Sequence, residues 1–170
     1  MKITLIALLL FLSELGFSQQ WRLGKGTERF EAADIAIYYG DPDTMYALGS
    51  FINDQGGSRG PGLLISTDRG ESWNGAIGPG TDVGAIRVDP FDSKRIYVSV
   101  YGFDSESNDI WMTKDGGNSW NRIFGGRSYP APVVVIDPVD LRTVYVGVGP
   151  NYIRRSTDRG ETWESLTTPP

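Results

Sequence analysis

An eight-residue pattern that recurs three times constrains the fold of this 170-residue chain more than any other feature. The pattern is Ser/Thr-x-Asp-x-Gly-x-Ser/Thr-Trp, and its copies at 66–73, 113–120 and 156–163 align without a gap. A second pattern, an Asp-Pro pair with another aspartate one or two residues later, lies upstream of each copy, and its prolines are 48 residues apart. Two separate motifs that keep one period indicate a tandem repeat of about 45 residues.

Each repeat is predicted to contain four short β-strands. In the second copy, β-rich stretches at 84–88 and 96–100 flank the Asp-Pro pair, which favours a turn. A polar loop at 101–109 follows, and strands at 110–113 and 120–124 flank the eight-residue segment. Repeated four-stranded units of about 45 residues are typical of β-propeller blades. The chain is therefore predicted to be all-β and built from four-stranded antiparallel blades.

The eight-residue segments resemble the Asp-box of the bacterial-neuraminidase-repeat propellers. That superfamily includes sialidases, xyloglucan-cleaving glycosidases, sortilin-type receptors and photosystem assembly factors. The resemblance covers roughly residues 34–166 and implies a propeller in which each box joins the third and fourth strands of a blade. The stretch 62–70 is also similar to early blades of xyloglucan-cleaving enzymes, with no catalytic residue among the matches. Since the box recurs in members without a common function, the resemblance implies fold rather than activity.

The box residues are expected to build turns rather than an active site. Their aspartates and hydroxyls can accept backbone N–H bonds, their glycines permit a positive φ, and their tryptophans offer a large apolar surface. An aspartate that recurs in every repeat, about 45 residues apart, does not fit the requirements of a single catalytic site. Arg69 and Arg159, inside two of the boxes, are expected to be solvated. The residues assigned to this structural role are Ser66, Asp68, Gly70, Trp73, Thr113, Asp115, Gly117, Trp120, Ser156, Asp158, Gly160 and Trp163.

Antiparallel connectivity predicts which face of the blades carries function. The Asp-Pro turns and the boxes share one face, and the loops between the second and third strands share the other with the links between blades. Those loops, predicted at 50–62, 101–109 and 149–152, differ in length and sequence, as binding loops on a rigid scaffold do. The aromatic side chains there could stack on sugar rings. The candidate ligand-binding residues are Arg59, Tyr101, Asp104, Glu106, Asp109, Arg127, Tyr129 and Tyr152.

The loop at 101–109 also offers a weak calcium candidate. Asp104, Glu106, Asn108 and Asp109 place three carboxylates and one amide within six residues. Such oxygen ligands suit Ca²⁺, although the full spacing of a calcium-binding loop is absent and a solvated acidic loop explains the same residues. No other cofactor is expected.

Composition excludes several classes of function. The chain has no Cys and no His, so thiolate or imidazole catalysis and Cys-bearing zinc sites are absent from it. Its 16 basic and 21 acidic residues give a net charge of −5, which argues against a nucleic-acid partner. A Lys followed by a ten-residue apolar run and Gly-Phe-Ser predicts a signal peptide over 1–18. A secreted, extracellular or periplasmic protein follows, without a membrane span after signal removal.

The sequence favours a binding or scaffold module over an enzyme. A sialidase would need an arginine cluster and its Arg-Ile-Pro segment, and 121–124 lacks that proline. A glycosidase needs two carboxylates facing each other across a cleft, and no spacing here pairs two of them. The expected partner is therefore a glycan or a secreted or cell-surface protein. The alternative is the N-terminal part of a sialidase-like or xyloglucanase-like glycoside hydrolase.

The repeat divides the chain into predicted segments. An N-terminal segment at 19–33 contains a possible closing strand, and the blades are assigned to 34–83, 84–132 and 133–170. Propellers typically have about four to eight blades, so three copies predict an incomplete ring. Further blades in the same chain, or a homo-oligomer, are expected to close it.

Overall fold

The fold was obtained from a computed structural model, which describes residues 30–52, 58–77, 82–101, 108–126, 133–148 and 152–167. Within these ranges the chain is all-β and has no helix. The predicted signal segment at 1–18 and most of the stretch at 19–33 lie outside them. The strands are β1 (Phe30–Ile37), β2 (Met45–Ile52), β3 (Ser58–Ser66), β4 (Asn74–Ile77), β5 (Asp82–Asp89), β6 (Asp92–Tyr101), β7 (Asn108–Thr113), β8 (Asn121–Gly126), β9 (Val133–Ile136), β10 (Val144–Val148), β11 (Tyr152–Ser156) and β12 (Glu164–Thr167).

The strands form three four-stranded sheets in chain order. Sheet 1 contains β1–β4, sheet 2 contains β5–β8 and sheet 3 contains β9–β12, and every pairing is between consecutive antiparallel strands. Each tandem repeat therefore folds into one meander, because two-residue periodicity and short turns let neighbouring strands pair directly. The all-β fold of four-stranded antiparallel sheets that the repeat predicts is confirmed.

The hairpin of β2 and β3 is longer than the sequence suggests. The stretch 50–62 reads as a loop, but β2 continues to Ile52 and β3 begins at Ser58. Gly60 and Pro61 pair with Phe51 and Ser50 in this extension. Strand pairing is made by the backbone, so the ladder continues through glycine and proline residues although both have a low strand propensity. The first strand likewise begins at Phe30, ahead of the expected start of the repeat at residue 34.

Two apolar cores join the sheets in sequence. Tyr46, Leu48 and Leu63 of sheet 1 pack against a face of sheet 2 that contains Ile86 and Val98. The opposite face of sheet 2 packs against sheet 3, and this second core contains Tyr97, Ile110, Met112, Val134, Val144 and Val146. Each sheet thus has a leading face toward the preceding sheet and a trailing face toward the following one. Because strand side chains alternate, sheet 2 uses both faces.

The box turns and the Asp-Pro turns lie at the same end of each sheet. A backbone N–H of the box donates to a carbonyl of the Asp-Pro turn in all three sheets. The pairs are Arg69–Asp43, Gly116–Lys94 and Arg159–Arg142, with N···O distances of 3.1, 3.0 and 3.0 Å. We call this the box end. The opposite end, where β2 meets β3, β6 meets β7 and β10 meets β11, is the loop end.

Candidate functional site

The box turns are closed by hydrogen bonds between their own residues. In the first box the Ser66 hydroxyl donates to Asp68 Oδ1 at 2.7 Å and accepts the N–H of Gly70 at 2.8 Å. Asp68 in turn accepts the backbone N–H of Ser72 and its hydroxyl. The indole N–H of Trp73 donates to the carbonyl of Gly70 at 3.1 Å. The carboxylate is therefore fully engaged in holding the hairpin.

The second and third boxes repeat this geometry. Asp115 accepts the N–H of Ser119 at 2.9 Å, and Asp158 accepts the N–H of Thr162 at 2.9 Å. These hydrogen bonds stabilise the charged form, with the hydroxyl of Ser72, Ser119 or Thr162 as the largest cause. They lower the pKa of all three carboxyls to about 2. Groups with such a low pKa stay ionised at neutral pH and are poor proton donors.

Two of the boxes place an arginine in the left-handed region of φ. Arg69 has φ 59° and Arg159 has φ 61°, while the second box has Gly116 at φ 72°. A side chain at positive φ is strained, so glycine is the residue that this backbone favours. The two arginines therefore occupy a position that their own conformational preference disfavours.

Arg159 is not solvated, contrary to the expectation from sequence. Its Nε lies 2.5 Å from Oδ2 of Asp89, which belongs to the Asp-Pro turn of the preceding sheet. The Asp89 side chain is only 2% exposed and the Arg159 side chain 28% exposed. The ring of Phe91 lies 5.7 Å from the guanidinium carbon. Arg159 thus joins sheet 3 to sheet 2 through a largely buried ion pair.

Further polar contacts surround this pair at the box end. The hydroxyl of Tyr97 and Nη1 of Arg95 both donate to the carbonyl of Arg159, at 2.7 and 2.9 Å. Glu161 accepts from Arg95 at 2.8 Å and from Lys114 at 2.6 Å. The hydrogen bonds from Lys114 and Arg95 lower the pKa of the Glu161 carboxyl. These contacts run between residues of sheet 2 and residues of sheet 3, so the cluster joins the two sheets.

The repeated tyrosine of the second strand is an inter-sheet contact that the sequence interpretation missed. Tyr46 donates its hydroxyl to the carbonyl of Ser93 in sheet 2 at 2.6 Å, as Tyr97 donates to Arg159 in sheet 3. Burial raises the pKa of both phenols. The signal was present, because Tyr46, Tyr97 and Tyr145 occupy the same place in the three repeats.

At the loop end the structure describes the candidate residues unevenly. Asp104, Glu106, Arg127 and Tyr129 lie outside the described residues. The backbones of Arg59, Tyr101, Asn108 and Tyr152 lie in strands next to the loops, at the strand ends in the last three cases. Tyr101 pairs with Asn108, and Tyr152 pairs with Val148. The candidates on these strands therefore belong to three hairpins, one in each sheet, at the loop end.

Asp109 is the candidate whose side chain is described, and it is mostly buried. Its Oδ2 lies 3.6 Å from Nη1 of Arg122 on the adjacent strand β8. Its Oδ1 is buried and has no hydrogen-bond partner among the described residues. A buried carboxylate oxygen without a donor is energetically costly, so the hydrogen bonding of Asp109 is incomplete among the described residues.

Neither a metal cluster nor a membrane helix is found in the described part of the chain. No three acidic or otherwise metal-ligating side chains gather there in a way that could hold an ion. The calcium candidates Asp104 and Glu106 fall outside those ranges, so the search does not reach them. Over the same ranges, no helix is long and apolar enough to cross a bilayer.

Comparison with known proteins identifies xyloglucanases among the relatives. A xyloglucanase of a Paenibacillus species is 30% identical over 167 residues, covering 76% of this chain and 16% of the relative. An oligoxyloglucan-reducing end-specific xyloglucanase of Emericella nidulans is 28% identical over 152 residues, covering 80% of this chain and 18% of the relative. The vacuolar protein sorting/targeting protein 10 of Mycosarcoma maydis is 29% identical over 83 residues, covering 49% of this chain and 5% of the relative. The chain spans less than a fifth of these relatives.

Solved structures agree at the level of the fold, and no family model matches the chain. The GH74 enzyme of Niastella koreensis has a TM-score of 0.56 at 22% identity, covering 80% of this chain and 22% of that one. The β-propeller domain of the Trilobed protease from Pyrococcus furiosus has a TM-score of 0.53 at 12% identity, covering 82% of this chain and 44% of that one. The sheets of this chain are therefore blades of the β-propeller fold.

Proposed function

We propose that this chain is an extracellular polysaccharide-binding segment of a β-propeller that recognises a xyloglucan-type glycan at its loop end. The observation that carries the proposal is the 30% identity to a xyloglucanase over 76% of the chain. The proposal takes from that relative the class of ligand and not its reaction. A propeller fold is shared by proteins of many activities, so the ligand has to be argued from the surface of this chain.

The described carboxylates are engaged differently at the two ends of the sheets. At the box end, the three box aspartates and Asp89 already bind backbone or side-chain donors of the protein. At the loop end, Asp109 keeps one buried oxygen without a donor among the described residues, so the protein does not saturate this carboxylate as it saturates those of the boxes.

Two tyrosines at the loop end supply the second element of sugar recognition. Tyr101 ends β6 and Tyr152 begins β11, so the two residues lie at the same end of neighbouring sheets. Aromatic rings offer a flat apolar surface that matches the apolar face of a pyranose ring. A glycan chain that crosses the two hairpins would pass both tyrosines.

The cellular location belongs to the same proposal. The signal-peptide pattern at 1–18 directs export, and polysaccharide binding is a function performed outside the cytoplasm. Absence of Cys fits a bacterial exported protein that needs no disulfides.

A second candidate function is part of the catalytic apparatus of a glycoside hydrolase. The xyloglucanase relatives favour it. This chain aligns with less than a fifth of each of them, as one segment of such an enzyme would. Hydrolysis needs an acid and a second carboxylate about 5–10 Å apart across the scissile bond. Asp109 could supply one carboxylate, and further chain or a partner would have to supply the other.

Electrophoresis through gels that contain xyloglucan tests the binding proposal. We expect retardation by xyloglucan that exceeds retardation by a galactomannan, and Tyr101→Ala or Tyr152→Ala should each weaken it roughly fivefold, since one stacked ring contributes on the order of 1 kcal/mol. Tyr39→Ala is the matched control, because Tyr39 is an exposed aromatic residue of the turn at the box end. Unretarded migration in every gel would contradict the proposal.

Release of reducing ends from xyloglucan separates the two candidates. The binding proposal expects retardation without release, and the hydrolase candidate expects release that Asp109→Asn abolishes. Release that survives Asp109→Asn would assign the chemistry to other carboxylates.

A further inference from the structure

The two junctions between the described sheets share one arrangement. A trailing face with a tyrosine on its second strand packs against the leading face of the next sheet, and the tyrosine donates to a backbone carbonyl there. This happens at Tyr46 and again at Tyr97. The same architecture leaves one trailing face, on sheet 3, and one leading face, on sheet 1, without a neighbour among the described sheets.

The trailing face of sheet 3 carries several exposed apolar side chains. Val133 is 53% exposed and Val135 and Ile153 are also exposed, whereas Val134 on the other face is buried. Gly147 pairs with both Val133 and Ile153, so these residues form one row across the sheet. Tyr145, the third copy of the repeated tyrosine, pairs with Val135 and shares this face. The face thus shares aliphatic side chains and the tyrosine with the two covered trailing faces, and beside Tyr145 it also carries the ion pair of Arg155 with Glu164.

The leading face of sheet 1 shows the matching pattern. Ile37 is 58% exposed and Ile35 is exposed beside it. Ile35 precedes the residue that pairs with Tyr46, as Ile86 precedes the residue that pairs with Tyr97. Ile86 is fully buried against sheet 1, which shows what a neighbour does to this position. Ile35 therefore occupies a contact position that lacks its contact.

Charges at the box end match in the same direction. Arg159 reaches back to Asp89, the aspartate of the Asp-Pro pair in the preceding sheet. Arg69 occupies the same box position with the same φ, and the corresponding aspartate before sheet 1 would be the one of sheet 3, Asp137. Asp137 holds its turn through Oδ1, as Asp89 does. The two open faces thus complement each other in apolar surface, tyrosine and ion pair.

We propose that two copies of this chain pair through these faces, with sheet 3 of each copy packed against sheet 1 of the other. Because the two faces differ, the contact is head-to-tail, and such contacts close into a ring when the rotation allows. Two copies of three sheets give six, within the range of about four to eight blades that propellers use, whereas three copies would give nine. The occupant of both faces is therefore a second copy.

Light scattering on the purified chain tests the proposal. We expect twice the chain mass at micromolar concentration, and Val135→Glu and Ile35→Glu should each give a monomer with an unchanged circular dichroism spectrum. Asn121→Glu is the matched control, since Asn121 is exposed and belongs to sheet 2, whose two faces are already covered within the chain, and it should leave the dimer intact. A wild-type monomer, or a series of larger species in place of a dimer, would overturn the closed ring.

Mixing the two monomeric variants tests the direction of the contact. The mixture of Val135→Glu and Ile35→Glu retains one undamaged trailing face and one undamaged leading face, so a heterodimer joined by one contact should form. Arg69→Gly, which suits the positive φ, should weaken the wild-type dimer at least several-fold and more so in low salt. A mixture that stays monomeric, or a dimer indifferent to Val135→Glu, would refute head-to-tail pairing.

Discussion

Arg69 and Arg159 occupy the same position of two boxes and yet have different environments. Both have φ near 60°, and both donate their backbone N–H to the Asp-Pro turn of their own sheet. The Arg69 side chain pairs with Asp43 of the same sheet and is 73% exposed, whereas that of Arg159 crosses to sheet 2 and pairs with the buried Asp89. The backbone conformation of the box is therefore set by its local sequence, whereas the ion-pair partner of the arginine side chain depends on the neighbouring sheet.

This difference follows from the position of each box in the row of sheets. Sheet 3 has a preceding sheet whose Asp-Pro turn offers Asp89, while sheet 1 has none among the described residues. Sheet 2 has a preceding sheet but carries Gly116 at this position, so its box has no side chain to extend. Within one chain, Arg159 consequently belongs to a junction between sheets, and Arg69 pairs only within its own sheet.

The largest expected effect is that of Arg159→Gly on stability. Glycine suits the φ of 61°, so the substitution removes the ion pair without straining the turn. It leaves the buried Asp89 carboxylate without Arg159, and we expect a loss of about 3 kcal/mol, near the lower bound for breaking a buried pair because Arg159 is partly exposed. Urea unfolding in the Val135→Glu background, which excludes self-association, gives the free energy of unfolding.

Arg69→Gly in that background is the matched control. Its ion pair with Asp43 is exposed, and removing an exposed pair changes stability by less than about 1 kcal/mol. Equal losses for the two substitutions would show that the junction contributes nothing beyond the turn and would remove the contrast between the two arginines.

Most of the fold was predictable because its signals are local. The boxes at 66–73, 113–120 and 156–163 carry their own hydrogen-bonding groups, so the hairpin can be read from eight residues. Strand ends were less predictable where glycine and proline continue a ladder, as in the extension of the hairpin of β2 and β3. In that extension the backbone pairs without an alternating pattern of apolar side chains that could have revealed it.

The candidate site was predictable only as a region. Antiparallel connectivity gives the end of the molecule at which Tyr101, Asp109 and Tyr152 lie, because it depends on strand order alone. The junction formed by Arg159 and Asp89 was missed, since its partners are 70 residues apart and the sequence around either residue does not indicate the other as its partner. Contacts of that kind are specified by packing between sheets.

A smaller effect, equal in two sheets, is expected from the box hydroxyls. Ser66 and Ser156 are both buried and make the same bonds to the aspartate and glycine of their boxes. Ser66→Ala and Ser156→Ala should each lower the free energy of unfolding by about 1–3 kcal/mol, because buried donors lose their acceptor. If Ser156→Ala cost much more than Ser66→Ala in urea unfolding, the box itself would depend on the junction, and the separation of local from neighbouring effects would fail.

The smallest effect at neutral pH is expected from the protonation of the box carboxyls. It tests whether the hydrogen bonds inside each box act independently of the neighbouring sheets. The folded-state pKa of Asp68, Asp115 and Asp158 is about 2, below the ordinary 3.8, so the unfolded chain binds more protons between these values. The stabilisation is present above about pH 4 and is lost as the pH falls toward 2. Ser119→Ala removes the hydroxyl that most lowers the pKa of Asp115, and carboxyl titration by NMR should show that pKa rise while Asp68 and Asp158 stay unchanged. A joint shift of all three pKa values would mean that the boxes communicate through the sheets, and Arg69 and Arg159 would then differ for reasons inside their boxes as well as outside them.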